Sequence, residues 1–496
     1  MKRSAKVAIP LGLLLLALSG CMVGPNYKRP EAPVPPAFKE PPPASFAEAE
    51  AAPWKESRPG DAYAKGRWWE VFGDPALDAL EEQVSLQNQN VQQAEAQYRQ
   101  AKAAVGVARS ALFPTLTTAP SVTVAGPRNG AATTTDNAGT ASRGTIYDLP
   151  VSVGWEPDLW GSVRRGVRAS AATADSLGAI LENARLLYQA ELAQDYFGLH
   201  GLDAQADLLT RTAASYEEFL ALTRARFSAG VASDLDVAEA ESQLYDVQSQ
   251  LIDLEVQRAA FEHAIAILIG KAPADLTLPR VPLTTAPPPL PVGLPSELLE
   301  RRPDIASAER QVAAANEQIG IAIAAFYPNL TLTGSAGFSS STLAKWLTWP
   351  SRFWSVGPQL AATLFDAGRR RRVVAGQRAA YDATVAGYRQ TVLVALQQVE
   401  DNLAALRVLA AEADKAEQTV RAAQRALDIS AAQYKAGTTS YLPVVTSQAT
   451  LLSANVRAVT VLTRRLTASV LLIEGLGGGW NTPPQKAGRD VAATRP

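Results

Sequence analysis

Asn90-Val91-x-x-Ala94, followed by Ala101, Gly106 and Phe113-Pro114-Thr115-Leu116, returns later in the chain as Asp304-Ile305-x-x-Ala308, Ala315, Gly320 and Tyr327-Pro328-Asn329-Leu330, at a constant offset of 214. Further on, Gly161 with Arg164-Arg165 matches Gly368 with Arg371-Arg372, Gly230 matches Gly437, Arg258 matches Arg465 and Gly270 matches Gly477, all at an offset of 207. Self-similarity at a fixed spacing marks an internal duplication, so the chain reads as two copies of one plan. The offset shortens by seven between the Phe113-Pro114 and Tyr327-Pro328 signals and the two Gly-Arg signals, and a length change confined to one place identifies a loop there.

Each copy switches periodicity twice. Residues 82–112 and 297–326 are rich in Ala, Gln and Glu and favour helix. After Pro114 and Pro328 the pattern alternates by two. Leu116, Thr118, Val122 and Val124 share one face, and Tyr147, Leu149, Val151, Val153 and Trp155 oppose Asp148, Ser152, Gly154 and Glu156. In the second copy Leu330, Leu332, Ala336 and Phe338 oppose Thr331, Thr333 and Ser335, while Trp354, Val356, Leu360 and Leu364 oppose Ser355, Gln359 and Thr363. This predicts four strands in two hairpins, at about 114–125, 146–158, 328–338 and 353–365, each with one oily and one polar face. From about 162 and 369 the pattern becomes heptadic. Leu199, Leu202, Leu209, Ala213, Tyr216, Leu220, Thr223 and Phe227 have counterparts in Leu406, Leu409, Ala416, Val420, Ala423, Leu427, Ser430 and Tyr434. Such seams predict coiled-coil hairpins at about 162–269 and 369–476, turning near 230 and 437, with helices of nearly 70 residues and on the order of 100 Å.

A soluble sandwich would also show alternating strands. Here the oily face has no second sheet in the sequence to pack on, because the remainder reads as helix. In a membrane barrel the oily face meets lipid and the polar face lines a lumen. Four strands cannot close a barrel, and eight give one filled by side chains, so three chains and twelve strands are the smallest arrangement with room for a pore.

Composition narrows the function. The 496 residues carry 47 Lys+Arg against 48 Asp+Glu, two His and one Cys. A net charge of −1 offers no drive toward phosphate backbones, so nucleic acid is not an expected partner. One cysteine permits no internal disulfide or thiolate cluster, and His200 and His263 are too few for histidine metal sites or triads. No enzyme, metal or catalytic site is expected. Met1 to Cys21 reads as a signal segment, with Lys2, Arg3 and Lys6 before an apolar core Val7 to Leu18 too short to span a bilayer. Its end, Leu18-Ser19-Gly20-Cys21, resembles the bacterial lipobox, which makes Cys21 the lipidated first residue of a mature chain of charge −4. No later stretch offers 18 consecutive apolar residues; Val461 to Leu476 is interrupted by Arg464, Arg465 and Glu474. The expected organisation is a signal peptide (1–20), a lipidated Pro-rich tether (21–60), a first repeat (61–271), a Pro-rich connector (272–297), a second repeat (298–480) and a tail (481–496).

Several motifs are specific in combination: Cys21-Met22-Val23-Gly24-Pro25-Asn26-Tyr27, Trp68-Trp69-Glu70-Val71-Phe72-Gly73-Asp74-Pro75, and Glu300-Arg301-Arg302-Pro303-Asp304-Ile305. With the strand signals and the turns at Gly230 and Gly437, the chain resembles the TolC/OprM/NodT-type outer membrane factors, the exit ducts of tripartite efflux pumps and type I secretion systems. The resemblance implies an α+β membrane protein: a homotrimer with a 12-stranded β-barrel continued by an α-helical periplasmic barrel. It implies a Gram-negative outer membrane location and, as partners, outer membrane lipid, a periplasmic adaptor (membrane fusion protein) and an inner-membrane RND-type transporter. No cofactor is implied beyond the covalent lipid on Cys21. The turns Gly230, Val231, Ala232, Ser233 and Gly437, Thr438, Thr439, Ser440 would form the adaptor-docking tip. From the residues alone, the glycines terminate helices and Ser233 and Ser440 cap the next ones.

Asp236 and Tyr434 resemble a carboxylate and a tyrosine that hold the tip closed in TolC-like proteins. The structural alternative is a helix-start Asp favoured by the dipole and a Tyr filling the last heptad layer. Pro443 and Thr446 stand where the family's acidic ring would be, so cation selection at the tip does not carry over. Two alternatives remain beside an efflux duct: the outer membrane component of a type I secretion system, and a non-conducting coiled-coil lipoprotein. The duplication of both hairpin and strands argues against the latter.

Overall fold

The computed structural model describes residues 22–41, 66–125, 144–290, 295 and 298–478. Cys21, the signal segment 1–20 and the tail 481–496 lie outside the described residues. Two compact units are present. The first draws on Met1–Pro30, Arg99–Asp175 and Glu309–Ala386, the second on Glu31–Tyr98, Ser176–Ala308 and Gly387–Pro496. In chain order the main elements are α1 (Pro75–Gln87), α2 (Gln89–Ser110), β1 (Thr115–Thr118), β2 (Ser121–Ala125), β3 (Gly144–Trp155), α3 (Ser162–Ser228), α4 (Asp234–Leu268), α5 (Pro303–Ala324), β4 (Asn329–Ser340), β5 (Arg352–Ala361), α6 (Arg369–Lys435) and α7 (Leu442–Gly475). Helices α3 and α6 each run for 67 residues. No helix among the described residues is long and apolar enough to cross a membrane.

In the first unit the strands form one antiparallel sheet in the order β1/β2, β3, β4, β5. The stretch expected as one strand at 114–125 is split. β1 and β2 pair with β3 in the same register, and the gap at Ala119-Pro120 lies across from Leu149-Pro150. Pro120 lies across from Leu149 and Pro150 across from Ala119, and neither proline has an N–H, so the ladder lapses over these two adjacent rungs. The last strand also ends earlier than expected, at Ala361, which leaves Leu364 outside it.

Directly opposed residues in an antiparallel ladder share a face, so the register sorts the side chains. Val153 faces Leu116, Tyr147 faces Val122, Leu149 faces Phe338, Val151 faces Ala336, and Ala336 faces Trp354. The other face carries Ser152 opposite Thr117 and Ser335, Ser335 opposite Ser355, and Thr331 opposite Gln359. The apolar face is bare: Trp354 is 76% and Val356 78% exposed. Gly337 lets β4 approach β3, since a Cβ there would lie 2.1 Å from the Leu149 carbonyl oxygen.

Short polar junctions lead from strand to long helix. The Asp158 carboxylate accepts from the backbone N–H groups of Val163 and Arg164 at 3.1 and 2.8 Å, satisfying donors of the first turn of α3. Asp366 likewise accepts from Gly368 N–H at 3.0 Å and binds the Arg370 guanidinium at 2.6 Å at the start of α6.

The second unit is helical. The expected seam is buried at Leu202, Leu209, Ala213, Tyr216, Leu220 and Thr223 on α3 and at Leu406, Leu409, Ala416, Ala423, Ser430 and Tyr434 on α6. Phe227, expected to end the α3 seam, is instead 45% exposed, whereas its counterpart Tyr434 on α6 is buried. All four hairpin helices end in the same way. Gly230, Gly270, Gly437 and Gly477 take left-handed φ of 73°, 73°, 76° and 86°. At the first, Gly230 N–H donates to the Phe227 carbonyl and Val231 N–H to the Arg226 carbonyl, the paired bonds of a Schellman motif.

His200 and Arg258 are structural. His200 Nδ1 donates to the Val281 carbonyl at 2.8 Å and lies 3.2 Å from the Asp203 carboxylate. Arg258 donates to Asp203 at 2.8 Å and to the Leu278 carbonyl at 2.9 Å, while Leu278 N–H donates to Glu262 at 2.6 Å. This buried network ties the connector down onto α3 and α4. Burial raises the Asp203 carboxyl, but bonds from His200 and Arg258 outweigh it and hold the group below its ordinary range. Removing one partner of a buried ion pair leaves an uncompensated charge. Arg258→Met is expected to destabilise the folded chain by about 3–5 kcal/mol, read as a lower thermal midpoint with early proteolysis near residue 278.

Asp195 on α3 behaves oppositely. Burial, with Glu191 one turn away adding repulsion, pushes its carboxyl from 3.8 up to about 6. The folded state therefore binds this proton more tightly than the unfolded chain. The group's contribution to stability improves as pH falls through 6 and levels off below 3.8. Asp195→Asn is expected to raise the thermal midpoint at pH 7.5, with the gain shrinking to nothing by pH 4.

Candidate functional site at the hairpin tips

The two reversals place the sequence-predicted tip residues together in the second unit. Val231, Ser233, Gly437, Thr438 and Ser440 are exposed, and Ala232 and Thr439 are half-buried. Gly230 is exposed and has open space around its α-carbon. Apolar side chains are left in solvent here: Val231, Leu235, Phe227 and Leu442. Beneath them lies a core drawn from all four hairpin helices, with Leu220 and Tyr216 of α3, Ala240 and Leu244 of α4, Tyr434 of α6, Val444 of α7 and, just before it, Tyr441. Burial pushes the Tyr216 phenol up to about 12, with Asp246 adding to it, and raises Tyr441 likewise. Both phenols are neutral at neutral pH.

The two turns are capped differently. Ser233 caps α4 in a complete capping box: its Oγ accepts from Asp236 N–H at 3.2 Å, and the Asp236 carboxylate accepts from Ser233 N–H at 2.9 Å. Ser440 does not cap α7. The cap residue is Tyr441, which makes no side-chain capping bond, and proline follows in the first helical turn. Pro443 has no N–H to satisfy and its φ is already helical, which removes the need for a hydroxyl cap.

Asp236 and Tyr434 are not joined by a hydrogen bond among the described interactions. Asp236 is engaged with Ser233. Tyr434, 2% exposed, donates its hydroxyl to Thr223 Oγ1 at 3.2 Å and packs its ring 5.2 Å from that of Tyr441. Its principal partner is Arg226, whose Nη1 donates to the Tyr434 carbonyl at 2.8 Å while the guanidinium lies 4.6 Å over the ring. This clasp joins the last turn of α3 to the last turn of α6, two helix ends whose carbonyl dipoles favour a cation. Arg226 is the tip residue that sequence reasoning missed. The signal was its counterpart at the 207 offset, Gln433, an uncharged residue where the first turn has a guanidinium. At Pro443 and Thr446 there is no carboxylate, and the Thr446 hydroxyl bonds back to the Leu442 carbonyl at 3.1 Å. Among the described residues no group of three or more His, Cys, Asp or Glu is placed to hold a metal ion.

The segment following Cys21 is held within the first unit. Val23 N–H donates to the Trp160 carbonyl at 3.1 Å. The fully buried Arg165 donates to the Val23 and Pro25 carbonyls at 2.7 and 3.1 Å and pairs with Glu317 at 2.8 Å. Tyr27 donates to Glu309.

A sheet with one bare apolar face, long coiled helices and a clasped helical tip are together the architecture of an outer membrane efflux channel. The chain belongs to the outer membrane efflux protein family, whose model matches residues 80–271 and 294–478. The toluene efflux pump outer membrane protein TtgF of Pseudomonas putida is 31% identical over 472 residues, covering 94% of this chain and 96% of that protein. The pyoverdine export outer membrane protein OpmQ of Pseudomonas aeruginosa is 32% identical over 461 residues, covering 90% and 95%. Among solved structures, the outer-membrane channel OprN is 30% identical with a TM-score of 0.81, covering 93% of this chain and 100% of that one. The fold is also that of the Campylobacter jejuni CmeC outer membrane channel, at 23% identity and a TM-score of 0.83 over 94% of this chain and 97% of that one.

A charge-assisted bond and a cation–π contact of this kind are together worth about 1–2 kcal/mol. Arg226→Ala is therefore expected to speed backbone amide exchange in the last turns of α3 and α6 by about 5- to 30-fold. Tyr434→Phe, which keeps the ring and the carbonyl bond, should speed it less. Equal effects would remove the clasp.

Proposed function

We propose that three copies of this chain form the exit duct of a tripartite efflux pump, passing small molecules from the periplasm and the inner-membrane transporter to the exterior. The sheet register carries this reading. It leaves one face apolar and bare, the other polar, and two sheet edges that pair with no further strand among the described residues. Three such sheets joined edge to edge make twelve strands, with the polar faces lining a lumen. The two repeats supply paired hairpins that continue the duct as a helical periplasmic barrel. Cys21 carries the lipid, and Arg165, by gripping Val23 and Pro25, keeps that anchor close to the base of the strands.

The duct is passive, and its tip is where partners act. The exposed Val231, Leu235 and Leu442 offer apolar contact to the helical hairpins of a periplasmic adaptor, working with an RND-type transporter. Tyr434, clasped by Arg226, and Asp236 restrain the closed aperture. Asp236 does so from its capped position at the start of α4. The cargo class, small organic molecules, rests on the names of TtgF and OpmQ, which export toluene and pyoverdine.

Detergent-extracted protein is expected to migrate as a heat-modifiable trimer and to conduct ions in planar bilayers, with larger currents for Arg226→Ala/Tyr434→Phe and for Asp236→Ala/Tyr434→Phe. A monomer without conductance in any variant would leave only a non-conducting lipoprotein. A trimer whose variants conduct no better than wild type would remove the gate while leaving the duct.

A further inference from the structure

Charge is nearly absent from the sheet. Among the described strand residues only Asp148 on β3 and Arg352 at the start of β5 are of a charged type (Asp, Glu, Lys or Arg). The register separates these two. Arg352 lies opposite Phe338, on the apolar face, and its guanidinium sits 4.0 Å over the Trp349 ring. Asp148 lies on the polar face, directly opposite Ser121 of β2 and Ser339 of β4. No ion pair or hydrogen bond engages its carboxylate among the described residues. The serines opposite it bring no countercharge. A lone carboxylate has no structural work to do on such a face, where Ser152, Ser335 and Ser355 suffice elsewhere.

We propose that Asp148 is a selectivity residue of the lumen, favouring cationic over anionic solutes. This rests on the trimeric barrel proposed above. Three copies then place three carboxylates at one level of a water-filled passage, and residues facing the lumen are those that tune selectivity. At the tip, Pro443 and Thr446 leave no acidic ring on the second hairpin, and the Asp236 carboxylate of the first is engaged with Ser233. Each carboxylate acts on a passing ion through water, so the effect is modest and screened over about 10 Å at 0.1 M salt. It is strongest in dilute salt and fades toward 1 M.

The test uses the lipidated full-length trimer in planar bilayers under a KCl gradient, in the Arg226→Ala/Tyr434→Phe background so that current is ample. Asp148→Asn is expected to lower the cation-to-anion permeability ratio at least about twofold near 0.03 M salt. Asp148→Glu should retain the ratio and Asp148→Lys invert it. A second route avoids dependence on how the variants fold. The mature chain has no cysteine besides Cys21, so Asp148→Cys in an assembled channel can be labelled in place. An anionic thiosulfonate should restore cation preference and a cationic one reverse it. Unchanged reversal potentials in Asp148→Asn, or no response of Asp148→Cys to the sign of the reagent, would overturn the proposal. Absence of current in every form would instead overturn the duct itself.

Discussion

A β-sheet in lipid cannot leave its edges open. Each unpaired N–H or C=O in hydrocarbon costs several kcal/mol, and there is no water to share it. This chain, an outer membrane protein with no membrane-crossing helix among its described residues, presents a sheet whose outer rows, β1/β2 and β5, each pair on one side only. In the trimer proposed above, other copies satisfy these edges, and from that requirement follow the oligomer, the enclosed lumen and the sorting of side chains by face. The lapse at Ala119-Pro120 belongs to the same accounting. Pro120 and Pro150 stand on adjacent rungs and neither brings an N–H, so the missing rungs leave fewer donors unsatisfied there.

The helices obey a different economy. Heptad seams with many small residues bring long helices together, and glycine in the left-handed region closes every hairpin helix with the same pair of bonds. Positions related by the 207 offset diverge where they meet different extended segments. His200 and Asp203 hold the connector after α4. Their counterparts are Arg407 and Ala410, and Arg407 holds the N-terminal segment through Glu40 at 2.6 Å while Glu400 accepts from Lys39 and Glu40 N–H groups. A shared scaffold has thus acquired two different straps, one secured by a buried network around Asp203 and the other by more exposed contacts to Arg407 and Glu400. The clasp between Arg226 and Tyr434 follows the same logic at the tip, where Gln433 has no guanidinium to offer in return.

Much of this was legible in the sequence because it repeats. Strict alternation located the sheet rows and their faces, and the glycines located the turns, since both are periodic or conformationally obligatory. What was not legible depends on single contacts. Leu364 continues the alternation yet lies beyond the ladder, as alternation does not say where hydrogen bonding stops. Ser440 has the composition of a cap, but proline in the next turn makes one unnecessary. Asp236 and Tyr434 were both singled out for the tip. Their partners, Ser233 for one and Arg226 with Thr223 for the other, follow from packing that spacing alone does not encode.

The central claim is that one face of the sheet meets lipid and the other lines an aqueous passage. Single-cysteine scanning along β3, from Asp148 to Gly154 in the assembled outer membrane protein, tests it most directly, with a charged, membrane-impermeant thiol reagent and a lipophilic one. The account predicts alternation: cysteines at 148, 152 and 154 react with the charged reagent, and those at 149, 151 and 153 react only with the lipophilic one. Uniform reactivity along the strand, or the opposite phase, would contradict it.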